Sequence, residues 1–122
     1  AQGPSAYRHQ LRIAGGGRFG AGRGAILWAG IDGDVDRLRQ LVRAVGRSLR
    51  AARFPLERRA YRPHLTIARP GARLDRDALA EDIALLSGYQ GPLWPVTELH
   101  LVRSHLGPDP RHERTASFPL PA

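Results

Sequence analysis

The sequence predicts an α+β fold: an antiparallel or mixed sheet with two helices on one face. Three observations carry this. Several short segments alternate in polarity or run apolar at strand length. Two longer segments gather their apolar residues on one helical stripe. The two kinds follow one another as β-β-α-β-α-β-β, with no second domain, coiled coil or low-complexity tract.

Residues 1–6 read as a flexible lead-in, and residues 7–120 as a single domain. In "YRHQLRIAG", Tyr7, His9, Leu11 and Ile13 fall on one face and Arg8, Gln10 and Arg12 on the other, the pattern of a half-buried strand. "GGGRFGAGRG" (15–24) is expected to be a flexible hairpin connection. Gly15, Gly17 and Gly20 match G-x-G-x-x-G, but a strand follows rather than a helix, so a dinucleotide site is not implied. "AILWAGI" (25–31) is almost continuously apolar, which predicts a central strand covered on both faces.

The clearest helix follows. Asp32, Asp34 and Asp36 suit its N-terminus, where the backbone N–H groups and the dipole favour acceptors. Val35, Leu38, Leu41, Val42, Val45 and Leu49 then form an apolar stripe, and Arg39, Arg43, Arg47 and Arg50 the opposite one. That arginine face is either simply solvated or binds an anion. "FPLERRAYRP" (54–63) crosses to a strand, "HLTIAR" (64–69), with Pro63 disfavouring helix before it. A second helix follows, capped by Asp75, with Leu79, Ile83 and Leu86 inward. "GPLWP" (91–95) reads as a break and "VTELHLVRS" (96–104) as one strand. "LGPDPRHE" (106–113) reads as a turn, and "RTASFPL" (114–120) as an edge strand, given Pro119.

Composition narrows the function classes. The chain has 122 residues, no cysteine and no methionine. Thiolate nucleophiles, disulfides and cysteine metal sites are excluded. All 19 basic residues are arginine, which removes Schiff-base lysine chemistry. The net charge of +8 favours a polyanionic or phosphorylated partner. No apolar run reaches membrane-spanning length and no signal peptide opens the chain, so a cytoplasmic location is expected, with no membrane partner.

Five histidines occur: His9, His64, His100, His105 and His112. None forms H-x-x-x-H or H-E-x-x-H, so no metal is expected, and no serine sits in G-x-S-x-G. His9 and His100 read as partly exposed strand residues, His105 and His112 as residues of the loop around Pro108 and Pro110. In "RPHLTIAR", residues i and i+2 of a strand face the same way, so His64 and Thr66 project together, with Leu65 and Ile67 packed behind. A titratable imidazole beside a hydroxyl donor is a compact unit for phosphoryl chemistry. Its bland counterpart is a strand on which His and Thr coincide.

"YRPHLTIARP" (61–70) resembles the second H-x-T-x motif of the two-histidine phosphoesterase superfamily, in particular its RNA 2′,3′-cyclic phosphodiesterase (2′-5′ RNA ligase-like) family. "LRIAGGGRFGAGRGAILWAGI" and "LHLVRSHLGPDPRHERTASFPL" resemble its strand–glycine loop–strand and its closing strand pair, so the likeness covers about residues 7–120. The resemblance implies a two-lobed fold with one H-x-T-x per lobe. This chain carries one such motif; His9-Gln10-Leu11-Arg12 lacks the threonine. The expectation is therefore the C-terminal lobe, with the first motif on a missing N-terminal lobe. A homodimer giving one motif per copy is permitted but not required.

What the resemblance implies is metal-independent hydrolysis of RNA 2′,3′-cyclic phosphate ends to a 2′-phosphate, without a cofactor. His64 would be one of the acid/base pair, the base by preference. Thr66 would donate to the phosphate, and Arg69, with Arg62 as second candidate, would contact it. Strict alternation puts Arg69 on the face opposite His64, so a bend at the strand end is required. Tyr61 would stack on a base or, more simply, pack. With one histidine of two, this chain alone is expected to be almost inactive. The competing reading is a non-catalytic RNA- or nucleotide-binding module.

Overall fold

A computed structural model describes residues 7–56 and 60–122. The lead-in expected at residues 1–6 and the middle of the 54–63 connection lie outside the described residues. The elements are β1 (His9–Phe19), β2 (Ile26–Gly33), α1 (Val35–Ala51), β3 (His64–Ala68), α2 (Arg76–Ser87), β4 (Trp94–Val96), β5 (Glu98–His105) and β6 (Arg111–Pro119). The fold is α+β. One four-stranded sheet has the order β3-β2-β1-β4, with every pairing antiparallel, and β5 and β6 form a separate two-stranded antiparallel ribbon.

One face of the sheet is packed. Ala25, Leu27 and Leu79 are buried together, with Leu74, Ile83 and Leu86 against them, so α2 covers the odd-numbered face of β2. Asp75 caps α2 as expected, accepting from the N–H groups of Asp77 and Ala78. The apolar stripe of α1 is turned inward around buried Leu41, while Arg39, Arg43, Arg47 and Arg50 are exposed. Asp34 precedes α1 without a side-chain capping bond. Its Oδ2 instead accepts from the N–H of Gln10 at 2.9 Å and ties the helix start to β1.

Several expectations are corrected. The glycine run is not all loop: β1 continues through it to Phe19, and only residues 20–25 turn. The reason is close packing. A Cβ on Gly16 would lie 2.7 Å from the Trp28 carbonyl oxygen and 2.8 Å from Leu86 Cβ, so only glycine lets strand and helix meet. β2 is covered on one face only: Leu27 and Ala29 are buried there, while Ile26, Trp28 and Gly30 stay partly open on the other. The expected strand 96–104 is two strands in two sheets, broken at Thr97, whose carbonyl accepts from the Leu120 N–H. His105 and His112 lie in strands β5 and β6 rather than in a loop, since the turn shrinks to residues 106–110. His9 is buried, not partly exposed: its Nδ1 donates to the Tyr7 carbonyl, and its Nε2 has no partner among the described residues.

Among the described residues no helix is long and apolar enough to cross a membrane.

Candidate active site

His64 opens β3, the edge strand of the four-stranded sheet. In an antiparallel pair, directly opposed residues share a face. The register sets His64 opposite Gly30, Thr66 opposite Trp28, and Trp28 opposite Gly17. His64, Thr66, Trp28 and Gly17 therefore lie on the face that α2 does not cover. Phe19, two residues beyond Gly17, joins them.

The ring geometry agrees with that placement. Phe19 stacks on Trp28 with centroids 5.2 Å apart, and the His64 imidazole meets Phe19 edge-on at 5.0 Å and Trp28 at 6.5 Å. Gly17 makes room, because a Cβ there would lie 2.7 Å from Trp28 Cζ2. Sequence reasoning does not single out Phe19 and Trp28 as site residues. One sits in a glycine run and the other in an apolar run, and only the strand register joins them to His64.

Hydrogen bonding fixes the ring of His64. Its Nδ1 is bonded to the carbonyl oxygen of Arg62. A carbonyl only accepts, so Nδ1 carries a proton and, in the neutral ring, Nε2 holds a free lone pair. A histidine so held is set up to take a proton at Nε2. His64 and Thr66 are both exposed, as are Arg62 and Arg69.

The packing expected behind the motif is not there: Leu65 and Ile67 are 51% and 50% exposed. β3 is an edge strand, and α2 reaches β1 and β2 but does not cover it.

The register of β3 shifts just before Arg69. Ala68 lies opposite Leu27 while Thr66 lies opposite Trp28, so two steps on β3 match one step on β2. That bulge at Ile67 resets the alternation. Ala68 falls on the α2 side, and the position after it, Arg69, follows the end of the strand. Arg62 contributes its main-chain carbonyl to His64.

The main chain of Tyr61 is tied to α1, since Arg39 Nη1 donates to its carbonyl at 3.0 Å. Burial raises the Tyr61 phenol above its ordinary pKa of 10.0, and the Arg39 guanidinium pulls it partly back.

On the same face, Arg12 is opposed to Asp32, about 14 Å along β2 from Trp28. There a cavity of about 530 Å³ is lined by Gln10, Arg12, Asp32, Gly33, Asp34, Gln90 and Leu93. His64 does not line it. The histidine surface is open, with no opposing wall among the described residues, and the chemistry points to His64 rather than to the cavity. Among the described residues no three His, Asp or Glu side chains gather as a metal-ligand set.

Comparison with known proteins agrees with the geometry. The profile of the 2′-5′ RNA ligase superfamily matches residues 5–108. The chain is 33% identical over 112 residues to an RNA 2′,3′-cyclic phosphodiesterase of Geobacillus stearothermophilus, covering 90% of this chain and 34% of that protein. It superposes on the crystal structure of TT0787 of Thermus thermophilus with a TM-score of 0.62 and 27% identity, covering 93% of this chain and 61% of that one. The chain thus spans about a third of the first relative and three fifths of the second.

Proposed function

The chain belongs to the 2′-5′ RNA ligase superfamily, and on that premise we propose that it supplies one half of a site that hydrolyses RNA 2′,3′-cyclic phosphate ends to 2′-phosphates. The observation that carries the reading is the orientation of His64. Its Nδ1 is committed to the Arg62 carbonyl, and its Nε2 is free on an open face beside Thr66.

In the proposed step His64 Nε2 takes a proton from water as the water oxygen bonds to phosphorus. The P–O3′ bond breaks, and O3′ receives a proton from a second imidazole. The product carries a 2′-phosphate and a free 3′-hydroxyl. Thr66 donates its hydroxyl to a non-bridging oxygen, and Arg69 offsets the negative charge that builds there. Arg62 acts through its carbonyl, with its guanidinium a second candidate for the phosphate. Phe19 and Trp28 form an apolar wall beside the imidazole.

The second imidazole comes from outside this chain, on the lobe that carries the first H-x-T-x motif. Residues 7–120 are then the C-terminal part of a two-lobed enzyme. Loss of one member of an acid–base pair lowers rates about 10²–10⁴-fold. Turnover of a 2′,3′-cyclic nucleotide is expected to be almost absent with these 122 residues alone. In the two-lobed form it should be present, and His64→Ala should abolish it with the far-ultraviolet circular dichroism unchanged. Equal turnover by the isolated chain would overturn the half-site, and wild-type rates in His64→Ala would make the motif structural.

A second reading, a non-catalytic RNA- or nucleotide-binding module, draws on the exposure of His64 and the charge of +8. RNA binding that falls with salt and ignores His64→Ala, without hydrolysis in any form, favours it.

A further inference from the structure

The ribbon of β5 and β6 has two chemically different faces, and its register decides which residues share each. Leu99 opposes Phe118 and Leu101 opposes Ala116 on one face; His100 opposes Ser117 on the other. Between Leu101 and Val102 the register shifts: Val102 lies opposite Arg114, leaving Thr115 as an extra residue. The Thr115 hydroxyl donates to the Leu101 carbonyl at 3.1 Å and staples that bulge. Beyond it, Arg114 and His112 come into phase with His100, while Arg103, Glu113, His105 and Arg111 fall on the opposite face, where Glu113 is bonded to His105.

The result is an exposed strip of donors. His100, Arg114 and His112 succeed one another in alternate rows, about 7 Å apart along the ribbon. Both imidazoles are held by serines on the neighbouring strand. The Ser117 hydroxyl lies 2.9 Å from His100 Nδ1, and the Ser104 hydroxyl 3.0 Å from His112 Nδ1. A serine hydroxyl both donates and accepts: where it donates to Nδ1 the ring proton rides on Nε2 as an outward donor, and the protonated ring donates from both nitrogens. Only Glu98, in the first row, adds negative charge to this face.

We infer that this strip binds the sugar–phosphate backbone of a single RNA strand. The inference rests on the RNA-end reading of the His64 site and extends it to nucleotides away from the reacting phosphate. The end rows are about 14 Å apart, too far for one phosphate to engage both, so a linear polyanion fits better than an isolated anion. The strip carries no Phe, Tyr or Trp for base stacking, so its charged and hydrogen-bonding groups address the backbone rather than base edges.

The test is binding of a 12-nucleotide single-stranded RNA with an ordinary 3′-hydroxyl end, and separately of a 2′,3′-cyclic mononucleotide, by the full 122-residue chain. Arg114→Gln is expected to lower the slope of log K against log salt for the 12-mer by about 0.7. Combined with His100→Ala and His112→Ala, it should weaken 12-mer binding at least about 10-fold. Mononucleotide binding should not change. Arg103→Gln removes the same charge from the opposite face and should alter the 12-mer slope by much less. The proposal is overturned if Arg103→Gln matches Arg114→Gln, if the triple variant binds the 12-mer normally, or if mononucleotide binding falls equally. The 12-mer has no cyclic end. Failure of the His64 reading, seen as no turnover in any form, is therefore distinct from failure of the strip.

Discussion

At the scale of single residues, the site depends on what glycine leaves out and on what a carbonyl fixes. Gly16 sits where β1, the Trp28 carbonyl and Leu86 converge, and two of those neighbours are anchored in the backbone. Gly16→Ala is therefore expected to destabilise the fold by about 1–3 kcal/mol, as overpacking does. Urea denaturation checks this, and an unchanged midpoint would show that α2 yields. Tyr61 gives a pH prediction. Its folded pKa is raised above 10.0 by desolvation, so the fold favours the neutral phenol. That contribution is intact below pH 10 and is lost as pH rises through the raised value. Ultraviolet titration should show a late phenol step above pH 10.0 that is lost in Tyr61→Phe and moves higher still in Arg39→Ala, which removes the cation that opposes the shift. A late step that persists in Tyr61→Phe would contradict the assignment.

Among the elements, three bulges decide which side chains meet. Between Ile13 and Gly16, β1 takes one more step than β2, at a Gly15 with φ of 70°. Before it, Leu11 and Ile13 face the core; after it, the odd positions Gly17 and Phe19 face His64. The bulge at Ile67 shifts the phase of β3 just before Arg69, and the one at Thr115 brings Arg114 into phase with His100. Strict alternation along the sequence misses all three shifts. With Arg69 on the phosphate as proposed, Arg69→Ala should lower kcat/KM of the two-lobed form about 10- to 100-fold, the loss of one charge-assisted bond. Arg62→Ala leaves the carbonyl that orients His64 and should cost only about 2-fold, as for an ordinary surface change. Reversed magnitudes in steady-state kinetics would exchange the two arginines. The two helices are more legible in the sequence, because capping and a 3.6-residue stripe are local signals: Asp75, Leu79, Ile83 and Leu86 all act as their spacing implies.

For the molecule as a unit, the surface is too large for the mass. A compact monomer of 13.4 kDa exposes about 6,500 Å², and this chain exposes 9266 Å². The nine undescribed residues, even counted as unfolded chain, account for at most about half of the excess of roughly 2,800 Å². Apolar side chains contribute much of what is open, including Leu65, Ile67, Leu101, Phe118 and, 90% exposed, Leu106. Under the two-lobed proposal, surface of that kind is where the lobe carrying the first H-x-T-x motif would pack. In isolation the chain should self-associate or bind an apolar fluorescent dye, and co-expression with a lobe carrying the first H-x-T-x motif should suppress both. A sharp monomer in sedimentation velocity with no dye binding would count against an uncovered interface.

The two helices and their faces, the strands around 9–13, 26–31 and 64–68, the shared face of His64 and Thr66 and the family likeness can be read from the order of residues alone. Each is carried by short-range periodicity or by a contiguous motif. Four outcomes needed the folded chain: Phe19 and Trp28 flank His64, a bulge at Ile67 shifts the phase before Arg69, the last strands leave the main sheet at Thr97, and His100, Arg114 and His112 share one face. Those outcomes depend on register between strands distant in sequence. One inserted residue exchanges the two faces of everything beyond it, and no local period records where that insertion falls.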